Sequence, residues 1–293
     1  MRRERVSDDI YVFTSSLYAQ VTASAVVHRD GIIVVDTLPY PSETRSMIAH
    51  LKELGKGKIK YLINTHWHAD HTFGNYLFDD DVQLVCHKRC YNELIARGAG
   101  ALLEAQAAVP EFEEVTLRIP DIIFDNGDMV LHVGNKSVEL RLMPGHSSDT
   151  TVAYAREDKV LLASDAMMPV PYFVPGNRHE LRQSLEKMLE YPLESMVQGH
   201  GEVLLRGEIP KAVDAGLRYL DTIEDKVRQI IERRQPRERL DRITIDECGR
   251  SRIPLNGLVQ ELHRINLHTL YDTLIAEQEA AREAEAAASY ADK

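Results

Sequence analysis

A chain of 293 residues with 44% hydrophobic content is long enough to bury a substantial core, which excludes a fibrous or wholly disordered protein. Its 35 lysines and arginines against 46 aspartates and glutamates leave a net charge of −11 and no long basic run, which argues against a nucleic-acid partner, since phosphate binding needs a basic footprint. No stretch approaches a membrane span, the charged residues 1–7 lead into Asp8-Asp9 rather than an apolar leader core, and the three sparse cysteines fit reduced thiols, so the expectation is a cytoplasmic protein with no membrane partner.

In chain order, Ile10-Tyr11-Val12-Phe13, Ala23-Ser24-Ala25-Val26-Val27 and Ile32-Ile33-Val34-Val35 read as strands, with Arg29-Asp30-Gly31 as a hairpin turn, so an antiparallel sheet opens the protein. Asp36 ends the third strand. Pro41 starts a helix with Met47, Ile48, Leu51 and Leu54 on its apolar face, and Gly55 ends it. Tyr61-Leu62-Ile63 is a short buried strand that runs into Thr65-His66-Trp67-His68-Ala69-Asp70-His71. On an extended backbone His66 and His68 point the same way, and a turn lets Asp70 and His71 face a neighbouring position. Imidazoles joined by a carboxylate suit a borderline or hard dication.

Val82-Gln83-Leu84-Val85 is the next strand. Cys86, His87 and Cys90 could form another metal cluster, but read better as a strand end entering a helix. Residues 97–115 are expected to form a helical insertion or a flap near the site. Residues 122–124, 129–133 and 138–142 are expected to form a meander with Asp125-Asn126-Gly127-Asp128 and Gly134-Asn135 as turns, delivering Pro144-Gly145-His146-Ser147. Thr151-Val152-Ala153-Tyr154 and Val160-Leu161-Leu162-Ala163-Ser164-Asp165 form the following hairpin. A helix marked by Leu181, Leu185, Met188 and Leu189, with His179 at its start, precedes Gln198-Gly199-His200-Gly201. A long amphipathic helix runs from about Pro210 to Pro236 with Val213, Leu217, Leu220, Ile223, Val227, Ile230 and Ile231 on one stripe. A last helical segment from near Asn256 carries Leu258, Leu262, Ile265, Leu270 and Leu274, trails into an Ala/Glu tract, and is expected to be exposed or frayed after Glu277. The remaining histidines, His263 among them, are read as surface or satisfied side chains. The expected domains are residues 1–207 and a C-terminal helical extension, residues 208–293, that packs on the core or pairs subunits in a homodimer.

The pattern His66-x-His68-x-Asp70-His71, followed by His146, Asp165 and His200 in matching contexts, resembles the signature of the metallo-β-lactamase superfamily, over about residues 10 to 205. The resemblance implies an α/β fold, a four-layer αββα sandwich with a pseudo-twofold between its halves, to which the C-terminal helices are appended. By the same analogy His66, His68 and His146 hold one metal, Asp70, His71 and His200 a second, and Asp165 bridges them, while Asp36 either helps hold the metal loop or simply caps a turn. Two divalent ions are implied, zinc foremost, with iron or manganese as alternatives. They supply a bridging hydroxide that attacks an ester-like bond, and Asp70 can shuttle the proton. Tyr172 roughly resembles the oxyanion-assisting tyrosine of lactone-hydrolysing relatives, at a longer offset, or else packs in the loop 169–175.

Asp165 stands where one β-lactamase type has cysteine, and His68 where flavodiiron proteins have glutamate. The chain therefore looks closest to the glyoxalase II, lactonase and thioesterase group, acting on a small-molecule thioester, lactone or related bond; a basic cluster for glutathione is not obvious. The alternatives are β-lactam or phosphoester hydrolysis on the same site, a mononuclear iron persulfide dioxygenase, and a ligand sensor that kept the fold.

Overall fold

The computed structural model describes the backbone of residues 1–291 and the side chains of residues 1–284. Two sheets stack face to face. The first, in the order β1 (Arg2–Arg5), β2 (Ile10–Thr14), β3 (Thr22–His28), β4 (Gly31–Val35), β5 (Ile59–Asn64), β6 (Gln83–His87) and β7 (Ile122–Phe124), is antiparallel as far as β4 and parallel from there on. The second runs β13 (Val203–Leu205), β12 (Ser195–Gln198), β11 (Val160–Ser164), β10 (Thr151–Ala155), β9 (Lys136–Leu142) and β8 (Met129–Val133), antiparallel except where β11 meets β12.

Strands covered on both faces need unbroken apolar runs, and β4 and β11 are buried at every residue. Ile10, Val26, Ile33, Ile63 and Val85 of the first sheet meet Leu131, Val138, Leu140, Leu162 and Val197 of the second to form the inner core. The outer face of the first sheet, with Val34, Leu62 and Leu84, is covered by Met47, Ile48 and Leu51 of α1 (Pro41–Glu53). The outer face of the second, with Val152, Leu161 and Met196, is covered by α5 (Arg178–Met188), α6 (Ile209–Glu232) and α7 (Val259–Ala291), so the layers run helix, sheet, sheet, helix. The short α2 (Ala69–Thr72), α3 (Lys88–Glu93) and α4 (Ala99–Ala108) line one rim of the sheets.

Several expectations change. Residues 122–124 do not begin a meander: β7 lies parallel to β6 at the edge of the first sheet, because Asp125-Asn126-Gly127-Asp128 carries the chain across to the second sheet instead of folding it back. The charged N-terminus forms β1, a solvent-facing edge strand that apolar patterning cannot reveal. Leu189 caps α5 with 46% exposure rather than packing beneath it. In α7 the buried stripe is Val259, His263, Asn266, Leu267, Leu270 and Leu274, whereas Leu258 is exposed and Leu262 and Ile265 are half-buried. Leu270 and Leu274 are buried as expected, and the stripe is shifted by about one residue only before them, where two polar side chains share the buried face. The helix continues past Glu277 with residues 279–284 exposed, and the side chains of the Ala/Glu tract beyond residue 284 lie outside the described residues. The insertion is helical, with α4 following a π-helical turn, Leu94–Gly98. Among the described residues no helix is long and apolar enough to cross a membrane.

Candidate metal centre

The site forms at one end of the sandwich, where strand ends from both sheets converge. The loop after β5 brings His66, His68, Asp70 and His71, the turn after β9 brings His146, the end of β11 brings Asp165, and the end of β12 brings His200. His66, His68, His146 and Asp165 offer ligand atoms all within 4.8 Å of one another, and Asp70, His71 and His200 do the same beside them. His68 Nδ1 lies 3.0 Å from both His66 Nε2 and His146 Nε2. Asp165 spans the two groups: Oδ2 is 3.2 Å from His146 Nε2 and 3.5 Å from His200 Nε2, and Oδ1 is 3.3 Å from His71 Nε2. His200 Nε2 is in turn 3.3 Å from Asp70 Oδ2.

The outward nitrogens of four of the five histidines are occupied. His66 Nδ1 meets Thr65 Oγ1 at 3.1 Å, His71 Nδ1 meets Asp36 Oδ2 at 3.0 Å, His146 Nδ1 meets the Tyr172 carbonyl at 2.9 Å and His200 Nδ1 meets the Ala19 carbonyl at 2.9 Å. An outer acceptor on Nδ1 fixes the tautomer and leaves the Nε2 lone pair facing inward, which is the arrangement of metal-binding histidines. Asp36, at a left-handed φ of 61°, also accepts from the Thr65 amide at 2.8 Å and the Thr65 hydroxyl at 2.7 Å, so it holds the metal loop rather than simply capping a turn. Gly199 is required by close approach, because a Cβ there would lie 1.9 Å from Asp165 Oδ1.

Two buried atoms, His71 Nε2 and Asp165 Oδ1, face each other without a hydrogen bond, which a native interior rarely tolerates unless an ion completes them. The electrostatics agree. Burial drives His66 down, reinforced by His71 and His68, and takes His68 down to about 3, so both are neutral donors at physiological pH. Burial opposes the charged forms of His71 and His200, but Asp165 and Asp70 outweigh it, holding His71 well above its usual value and His200 at about 10. Burial also works against ionised Asp165 and Asp70; His200 and His71 nevertheless keep Asp165 well below the carboxylate range, and His71 and His200 keep Asp70 at about 2. Without an ion two imidazolium groups balance the carboxylates, and a cation takes over that charge. Residues and electrostatics therefore fit metal binding.

A cavity of about 400 Å³ opens over these groups, walled by Tyr18, Trp67, Met168, Tyr172, Val174 and Leu262 among others. Tyr172 lines it, with its ring centroid 5.8 Å from that of His146, while its carbonyl is the one that holds His146. Ala101 of α4 also reaches the cavity, so the insertion borders the site. Three contributors were not legible in the chain. Tyr18 is pushed up to about 12 by Asp70 and burial, and no motif marks it. Asp149 accepts from the Trp67 amide at 2.9 Å, between His66 and His68; its place three residues after His146 was the available signal. Asn266 of α7 donates to the Pro171 carbonyl at 2.7 Å and receives the Phe173 amide at 3.5 Å, bracketing Tyr172. Elsewhere, His87 commits both ring nitrogens, to the Asp125 carbonyl and the Arg89 amide, in keeping with a strand end entering a helix. The buried His263 is satisfied by Tyr219 and the Ile243 carbonyl.

Comparison with known proteins covers the same ground. Residues 18–200 match the family model of the metallo-beta-lactamase superfamily. The chain is 25% identical over 208 residues to a beta-lactamase-like protein 2 homolog of Caenorhabditis elegans, covering 71% of this chain and 59% of that protein. It is 26% identical over 208 residues to an atrochrysone carboxyl ACP thioesterase of Aspergillus fumigatus, covering 71% and 54%. The match thus takes in little more than half of either relative. In fold, it is similar to a metallo-beta-lactamase from Pontibacter korlensis (TM-score 0.61, 17% identity, 73% of this chain and 97% of that one). It is also similar to the sec-alkylsulfatase Pisa1 from Pseudomonas sp. (TM-score 0.71, 14% identity, 92% and 50%), a likeness that extends into the C-terminal helices. The family match encloses every clustered histidine and carboxylate, and on that ground the chain belongs to the metallo-β-lactamase superfamily, a group of metallohydrolases.

Proposed function

We propose that the chain is a dinuclear metal-dependent hydrolase that cleaves an ester-like bond, a thioester or lactone, of a small molecule. The observation that carries this reading is the reach of Asp165 to both donor groups, His146 on one side and His71 and His200 on the other, which suits a carboxylate shared by two ions. The ligands are proposed to be His66, His68 and His146 for one ion and Asp70, His71 and His200 for the other, with zinc the foremost expectation. A pair of bound dications supplies a water deprotonated near neutral pH and polarises the substrate oxygen.

The chain's own residues do the rest. Tyr18, Trp67 and Tyr172 give the cavity flat, largely apolar walls that orient an acyl group and limit water. No arginine or lysine lines that cavity among the described residues, which favours an uncharged ester or thioester over a phosphoester. Asp70 Oδ2, beside His200, is placed to carry a proton toward the leaving group. The Tyr172 hydroxyl is proposed to assist the developing oxyanion. Tyr172→Phe is then expected to lower kcat by about 100-fold with unchanged metal content, the scale of one lost oxyanion donor.

The test is metal quantification followed by a hydrolysis screen over thioesters, lactones, β-lactams and phosphodiesters, with His66→Ala as control. The expected result is two ions per chain, turnover of a thioester or lactone, and a loss of at least about 100-fold in the variant, since even outer partners of a metal site are worth 10–100-fold. One oxygen-sensitive ferrous ion with persulfide oxidation would establish the dioxygenase instead. Absence of turnover on all four bond types would remove the hydrolase reading.

A further inference from the structure

Arg250 lies between α6 and α7 and lines a second cavity, of about 690 Å³, bounded by Leu204, Ala212, Ile253 and Leu255 together with Gln20 and Gly201. None of its lining residues belongs to the lining of the metal cavity, although Pro169 and Gly201 are chain neighbours of Met168 and His200. Nε and Nη2 of Arg250 both donate to the Pro169 carbonyl, at 2.7 Å from Nε, and Nη1 makes no hydrogen bond among the described residues.

Arg250 forms no ion pair with a carboxylate among the described residues. Every other arginine that is at least half-buried has one: Arg118 pairs with Asp121, Arg141 with Asp128, Arg178 with Glu224, Arg182 with Asp221 and Arg228 with Glu224. In a chain with an excess of eleven acidic groups, a partly buried guanidinium that lines a cavity and has no carboxylate stands out. Burial depresses the pKa of Arg250, opposed only in part by the Tyr219 hydroxyl and with no carboxylate contributing. The one carboxylate on the cavity wall, Glu202, is taken by Arg2 at 2.8 Å. The rest of the wall is mainly apolar, and Ile253 on it is 77% exposed, so its side chain is open to a ligand in the cavity. Leu255 and Asn256 on this wall both adopt a left-handed φ of 55°.

We propose that this cavity binds an amphipathic monoanion, a carboxylate on a short apolar body, with the free edge of the Arg250 guanidinium taking the carboxylate and Ile253, Leu204 and Leu255 covering the body. A guanidinium edge matches a carboxylate in shape and charge, and the two components of the cavity match the two parts of the ligand. The site is distinct from the proposed reaction centre and does not depend on which metal, if any, that centre holds.

Octanoate is the probe, added to the full chain as purified and, in parallel, to chelator-treated protein, so that binding to metal is separated from binding here. Octanoate is expected to shift the Arg250 Nε–H resonance in both samples, and to bind about tenfold more tightly than octan-1-ol or acetate, each of which supplies half of the interaction. Arg250→Gln should weaken it about tenfold. Because that change also removes the contact to Pro169, Ile253→Asp serves as the second variant: it adds a like charge to an exposed side chain, should leave the melting temperature unchanged, and should weaken octanoate by about tenfold. An unmoved Arg250 resonance at millimolar octanoate, or equal affinity in wild type and Ile253→Asp, overturns the proposal.

Discussion

Asp36 and Asp149 act on the metal loop from opposite sides, one through Thr65 and His71 and the other through the Trp67 amide. Asp36→Ala leaves His71 Nδ1 and the Thr65 amide without their acceptor, so metal affinity is expected to fall about 10–100-fold, read by competition with a chromogenic chelator. Asp149 supplies a pH signature. Burial pushes its pKa up to about 6 against the hydrogen bonds from Ser147 and Trp67. The folded chain then binds its proton more tightly than the unfolded chain, so this group's contribution to stability falls as pH rises from the ordinary carboxylate value to about 6, and stays lower above it. The expected fall is about 2–3 kcal/mol. Asp149→Asn should remove that slope, as shown by urea midpoints of metal-free protein at pH 4 and pH 7; an identical wild-type and variant difference at both pH values would refute the assignment. His66 and His68 were legible because histidines at spacing two on a strand end carry their geometry with them, with Asp70 and His71 on the turn that follows, whereas His146, Asp165 and His200 came from the resemblance to the superfamily signature. For Asp36 the sequence left two roles open, holding the metal loop or capping a turn, since its contact is with a segment some thirty residues away, and Tyr18 carried no local signature at all.

At the scale of elements, α7 reaches the site in two ways, with Leu262 walling the cavity and Asn266 holding its rim. Asn266, fully buried, binds the Pro171 carbonyl and the Phe173 amide, and the carbonyl between them, on Tyr172, orients His146. Tyr219 of α6 joins the same network through Asn266 and His263. Asn266→Ala is expected to cost about 1–3 kcal/mol for the unpaired buried groups it leaves. It should also lower metal affinity, a change that a packing defect of equal size elsewhere in α7, such as Leu274→Ala, does not produce. Metal titrations of the two variants at matched stability distinguish the cases. Periodicity located this helix and its buried Leu270 and Leu274 but misplaced the start of the stripe, because apolar patterning passes over His263 and Asn266, whose burial rests on partners from other elements. The position of β7 was hidden for a related reason: a three-residue strand states its type but not its sheet.

For the whole molecule, the order of strands and helices was readable because each strand's pattern reports whether one or both faces are covered. What the chain did not disclose was how the C-terminal helices join the body. The apolar cluster on the outer face of the second sheet draws on Val152, Leu161 and Met196 and, with them, on Val213, Ile223, Leu267 and Leu270 of α6 and α7. We propose that residues 208–293 are an extension packed on the core, and expect a chain ending at residue 207 to aggregate on expression, because that face would be bare; a soluble, monodisperse truncation would contradict this.

The ligand candidates are divided between the halves of the sandwich, with His66, His68, Asp70 and His71 following a strand of one sheet and His146, Asp165 and His200 following strands of the other. Each candidate group draws on both halves, so an ion seated there would act as a rivet across the seam. Heat resistance thereby becomes a gauge of ion supply: since only the assembled form binds, melting should climb with the logarithm of free metal concentration and drop when a chelator strips it.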